Sequence, residues 1–183
     1  ETAAGHNLYF DPAHTKRYFE HLLEFMHNYY YATSQGKLWI EYRVVPDAES
    51  LAYQLPYQIY YYGDPDHYVE GLLTLLRDAL IACDLQDTVT MSNYDAFIVF
   101  HPGCSWQAQA AWGDTPYDIL TGSIIGLDGY FGTPVYVDDN YPINAGIIMS
   151  ESDFKHGVPS FLQGALAHEF GHLLGFYDLY DVG

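Results

Sequence analysis

The sequence predicts an α/β fold with a mixed sheet. Apolar residues recur at helical spacing near residues 15–34, 65–83 and 160–174. Strand signals lie between these stretches: an alternating run at Lys37–Val45 and a continuously apolar one at Ala96–Phe100. Strands that alternate with helices in this way build the α/β class.

The elements follow in order. Residues 1–13, with Gly5, Asp11 and Pro12, read as an extended lead-in. From Thr15 to about Ser34, Tyr18, Phe19, Leu22, Leu23, Met26, Tyr29 and Tyr30 keep the i, i+3, i+4, i+7 spacing of an amphipathic helix, with Gly36 as its stop. In Lys37–Val45, Leu38, Ile40, Tyr42 and Val44 face one way and Trp39, Glu41 and Arg43 the other, which predicts a strand. Leu55–Tyr62 is a weaker strand or loop. Asp64-Pro65 reads as an N-cap and first helical residue, and Val69, Leu72, Leu73, Leu76, Leu80 and Cys83 mark the helix that follows. Ala96–Phe100 suits a parallel strand buried on both faces. Residues 102–134 read mostly as loop, and Val135–Val137 and Gly146–Met149 as short strands. Ser160 with Gln163 forms a capping box for a last helix that runs to about Leu174 and stops at Gly175.

The 183 residues make one domain's worth of chain, 49% apolar and 16% charged, which excludes a disordered polymer. Six Lys and Arg against 24 Asp and Glu give a net charge of −18. That field disfavours nucleic acid and anionic membrane surfaces and favours divalent cations. No run of about 18 apolar residues is present to span a bilayer, and no secretory leader is visible. The chain begins at Glu1 and reads as a processed or excised piece. Cys83 and Cys104 allow one disulfide at most, and two core thiols are the alternative.

Chemistry concentrates in the last helix, at His168-Glu169-Phe170-Gly171-His172. Residues four apart share a helix face, so both imidazoles can converge on one ion. Glu169 points about 100° away, beside that ion as a base rather than on it. Catalytic zinc takes three protein ligands and a water. Beyond His172, Asp178 and Asp181 are the side chains that bind zinc well. A left-handed turn at Gly175 would bring the chain back over the ion. Asp178 is then the natural third ligand, and Asp181 reads as a solvated carboxylate. A ligand from far upstream, such as His101 or Asp139, is the alternative.

The run from His168 through Gly175-Phe176-Tyr177-Asp178 resembles the HExxHxxGxxD segment of the immune-inhibitor-A-like metallopeptidases, secreted zinc endopeptidases related to the metzincins. Where that family commonly reads Gly-Leu-Pro-Asp, this chain has Gly175-Phe176-Tyr177-Asp178, which spares the ligand. Arg17-Tyr18-Phe19, the stretch Tyr29–Leu38, Tyr60–Gly63, and Tyr94-Asp95 through His101-Pro102-Gly103 are similar too. The resemblance implies a metzincin-like N-terminal subdomain, a twisted mixed sheet with a backing helix and an active-site helix. It implies Glu169 as general base and His168, His172 and Asp178 as zinc ligands. It also implies a secreted protein with a protein or peptide as substrate. Metzincins carry a Met-containing turn after the third ligand. Here the chain ends five residues past Asp178, and Met26, Met91 and Met149 all precede the motif. The expectation is one catalytic domain over residues 1–183 without its C-terminal subdomain.

Other groups in the chain carry chemistry of their own. Asp114, Asp118, Asp128, Asp138, Asp139 and Asn140 sit in loop-like sequence that suits calcium, or a merely solvated acidic surface. Cys104 near His101 invites a thiol-nucleophile reading, against an inert or bridged cysteine. His6, His14, His21, His27, His67 and His156 read as surface groups. The expected function is zinc-dependent peptide hydrolysis, with the peptide laid along Gly146–Met149 by strand addition. The rival is a non-catalytic acidic binding module stapled by zinc.

Overall fold

A computed structural model of the chain describes residues 14–47, 52–86, 89–108, 117–152, 154–155, 158–159 and 162–178. Its elements are α1 (Lys16–Thr33), α2 (Ile59–Tyr62), α3 (Tyr68–Gln86), β1 (Ile98–Cys104), β2 (Gly122–Ile125), α4 (Leu127–Phe131), β3 (Val135–Val137), β4 (Tyr141–Ile143), β5 (Ala145–Ser152), β6 (Phe154–Lys155), β7 (Val158–Pro159) and α5 (Leu162–Leu173). The class is α/β, with a small mixed sheet of order β1-β5-β2. β1 runs parallel to β5 and β2 antiparallel to it.

Three layers follow from the side-chain alternation of β5. Ile147, Ile148 and Met149 are each 0% exposed, as expected of a strand covered on both faces. Ile148 packs with Leu72, Leu75 and Leu76 of α3 and with Val135, Val137 and Ile143 of the β3–β4 hairpin. Ile147 and Met149 point the other way, into Leu22, Leu23, Met26 and Tyr30 of α1 and Leu162, Leu166 and Phe170 of α5. α1 and α5 therefore share one face of the sheet and α3 covers the other. Among the described residues no helix is long and apolar enough to cross a membrane.

Several expectations need correction. Lys37–Val45 forms no ladder among the described residues. Its alternation reports burial instead, with Leu38, Ile40 and Val44 half-buried against α1 and its neighbours and Trp39 exposed. Residues 59–62 of the presumed strand or loop are the short helix α2. Asp64 acts a turn earlier than expected: its carboxylate accepts the Asp66 N–H at 3.0 Å, and α3 opens at Tyr68. β1 is parallel to β5 as expected and has packing on both faces, Val99 against one core cluster and Ile98 and Phe100 against the other, but as an edge strand its first residues are only half-buried. The presumed loop 102–134 holds β2 and α4, both too short to announce themselves by periodicity. The Ser160 cap lies outside the described residues. β5 is central, with both edges already in ladders, so no peptide can add along Gly146–Met149.

Candidate metal centre

α5 is amphipathic by position. Leu162, Leu166, Ala167 and Phe170 are buried, while His168 on the opposite side is exposed. The i, i+4 spacing brings the two imidazoles together, with His168 Nε2 and His172 Nε2 3.2 Å apart and the rings nearly perpendicular at 86°.

The helix then ends in a Schellman turn. Phe176 N–H donates to the Gly171 carbonyl at 3.0 Å and Gly175 N–H to the His172 carbonyl at 2.9 Å. Gly175 carries φ +89°, the left-handed conformation this turn requires and a side chain resists. The reversal has two effects. It places the Phe176 carbonyl 2.9 Å from His172 Nδ1, which donates to it and leaves Nε2 as the bare nitrogen. It also returns Asp178 over the helix, with Oδ1 3.2 Å from His168 Nε2 and 3.4 Å from His172 Nε2. Among the described residues these three are the group of His, Cys, Asp and Glu side chains whose donor atoms converge tightly enough for one metal ion. The set is open to solvent: the side chains of His168, His172 and Asp178 are 48%, 21% and 37% exposed.

Glu169 stands beside the group rather than within it. Its Oε2 accepts the Ser123 main-chain N–H of β2 at 2.7 Å, which fixes the carboxylate between helix and sheet. Two supports were invisible in the sequence, the Ser123 amide and the Phe176 carbonyl. Both act through main-chain atoms that every residue type shares.

The other candidates fall elsewhere. His101 and Asp139 do not join the group. Asp138 and Asp139 form the tip of the β3–β4 hairpin at φ 46° and 65°. The Ser92 main-chain N–H, 2.6 Å away, holds the Asp138 carboxyl below its usual range. Asp128 is bonded to Asn144 Nδ2 at 2.7 Å. Asp128 and Asp138 thus brace turns, and among the described residues the loop carboxylates do not join a group of three converging His, Cys, Asp or Glu donors. Asp114 and Asp181 lie outside those residues. Cys83 and Cys104 are both buried and are not joined to each other, as the core-thiol alternative expects. Nor are all the remaining histidines surface groups. The His14 side chain is 5% exposed and sits 3.1 Å from Glu151, and His27 Nδ1 bonds the Ile40 carbonyl at 2.7 Å.

Searches of family models, of curated proteins and of solved structures found no match to this chain.

Proposed function

We propose that this chain is a secreted zinc-dependent endopeptidase whose fold is a metzincin-like N-terminal subdomain. The carrying observation is the triangle of two imidazole nitrogens and one carboxylate oxygen, with edges of 3.2, 3.2 and 3.4 Å. Tetrahedral zinc with bonds near 2.0–2.1 Å needs ligand separations of roughly 3.3–3.4 Å, and three protein ligands leave the fourth position open. The Phe176 carbonyl on His172 Nδ1 is the kind of outer support that orients a metal-binding imidazole.

When bound, zinc acidifies water and polarises a carbonyl group. The remaining work belongs to the chain. Glu169, held by Ser123, accepts the proton of the attacking water at its carboxylate and passes it to the leaving amine. The substrate peptide lies extended along the outer edge of β2. That edge is free of a ladder among the described residues and adjoins α5.

Glu169→Gln tests this reading. Zinc should remain at about one per chain, while hydrolysis of a quenched fluorescent protein substrate falls by roughly 10²-fold or more. Undiminished hydrolysis would overturn the role of Glu169. Loss of zinc would make Glu169 a ligand, and a zinc-loaded protein that cleaves no peptide would be the stapled binding module.

A further inference from the structure

The ladder of β2 fixes which of its groups face outward. Ile147 N–H of β5 donates to the Phe97 carbonyl at 2.8 Å, on the β1 side. Its neighbours Gly146 and Ile148 therefore turn their main-chain groups toward β2, where they meet Ile124 and Gly122. Ser123 and Ile125 are left to present N–H and C=O at the outer edge. The Ser123 N–H is already used, since it donates to Glu169 Oε2 at 2.7 Å. Ile125 carries the next outward pair, about 7 Å further along the strand.

The side chains divide by the same alternation. Ile124 is 6% exposed and packs into the cluster beneath α3. Ser123 lies opposite Ile147, whose side chain belongs to the cluster under α1 and α5. Ser123 and Ile125 thus share the face of the sheet that carries α5, the helix of the metal donors. Ile125 is 68% exposed there. Sheet edges are usually blunted by charge or Pro, and Gly122–Ile125 carries neither.

Antiparallel pairing is what β2 already makes with β5, and it is the more stable kind per residue. In such an addition the residue opposite Ile125 points its side chain to the same face, with Cβ atoms about 5 Å apart. An apolar side chain there removes its own surface and that of Ile125 from water, whereas a charged one would lose hydration against hydrocarbon. β2 runs from Ser123 to Ile125, so an antiparallel peptide meets Ile125 on the N-terminal side of its residue opposite Ser123.

We propose that Ile125 is the specificity-determining residue of this edge. The substrate peptide adds antiparallel to β2 and sets an apolar side chain against Ile125, two residues N-terminal to the one opposite Ser123. This rests on the peptidase reading above and names the peptides it takes.

Cleavage-site profiling of the zinc-loaded protein on a mixed peptide library, read by mass spectrometry, tests it. Wild type should prefer Leu, Ile, Val or Phe at one position on the N-terminal side of the cut. The preference over Ala should be roughly 2- to 5-fold, the worth of one cross-strand pair. Ile125→Ala should flatten it, and Ile125→Glu should turn it toward Lys and Arg at the same position. The side chain is exposed, so both variants should keep the circular dichroism spectrum and about one zinc per chain. An identical profile in all three proteins would overturn the role of Ile125 and leave the peptidase standing. A preference that shifts only on the C-terminal side of the cut would overturn the antiparallel placement. No cleavage of any peptide by zinc-loaded wild type would overturn the peptidase reading, and this inference with it.

Discussion

The Tyr30 hydroxyl donates to the Ala167 carbonyl at 2.6 Å and ties α1 to α5 one residue ahead of His168. Burial pushes this hydroxyl up to about 12, so it remains a donor at any working pH. Tyr30→Phe should keep the fold, lose about 1 kcal/mol and lower the melting midpoint by roughly 2–4 °C. A side chain at Gly171 would place its Cβ 3.1 Å from the same hydroxyl oxygen. Gly171→Ala should therefore cost about 1–3 kcal/mol by overpacking, and less in a Tyr30→Phe background. Equal costs in both backgrounds would mean that the two residues do not compete for space.

Removing donors should rank the metal site. His168→Ala and His172→Ala are each expected to abolish zinc retention after dialysis, read by elemental analysis. Asp178→Ala should weaken affinity by at least an order of magnitude, since it removes one of three protein ligands. Asp181→Ala should bind like the unsubstituted protein, and the reverse ranking would move the third ligand to Asp181.

The turn should matter to the metal as well as to the fold. Gly175→Ala places a side chain at φ +89° and should cost about 1–2 kcal/mol. It should also loosen zinc by displacing Asp178. Gly175→Asn tolerates that conformation better and should fall between the two. Zinc titration of the three proteins tests the order, and equal affinities would uncouple Gly175 from the site.

His101 gives stability a pH dependence. Burial lowers its pKa, outweighing the Pro102 carbonyl and the nearby Glu151 charge, which both act upward. Between an ordinary value near 6.5 and about 4, the unfolded chain binds the proton and the native chain does not. Stability should thus fall as pH drops through that window, by at most ~1.4 kcal/mol per pH unit from this one group. Urea unfolding of wild type and His101→Phe across the window should show the shallower slope in the variant. Parallel slopes would place the titration elsewhere.

The sequence made the donor set legible because its geometry is local. Helical spacing pairs His168 with His172, and a helix stop at Gly175 brings Asp178 back. Apolar runs also marked the strands at Ala96–Phe100 and Gly146–Met149, but not that the second of them is the central strand, with Ile147–Met149 covered on both sides. Strand pairing was not legible. Lys37–Val45 alternates because one side of it is half-buried, and alternation does not say whether a neighbour completes a ladder. The hold of Ser123 on Glu169 was out of reach too, because a main-chain amide leaves no mark in the side-chain alphabet.

The Schellman turn confines all three donors to residues 168–178. The entropy of closing a chain segment grows with the logarithm of its length, so this arrangement asks little of the distant sequence. Glu169 depends on a residue 46 positions away. Under the proposed function, the ion-holding half of the centre is thus local, and the proton-handling half is tertiary. Partial denaturation that frees α5 from β2 should then scatter the second before the first, leaving a chain expected to capture an ion but to cleave nothing.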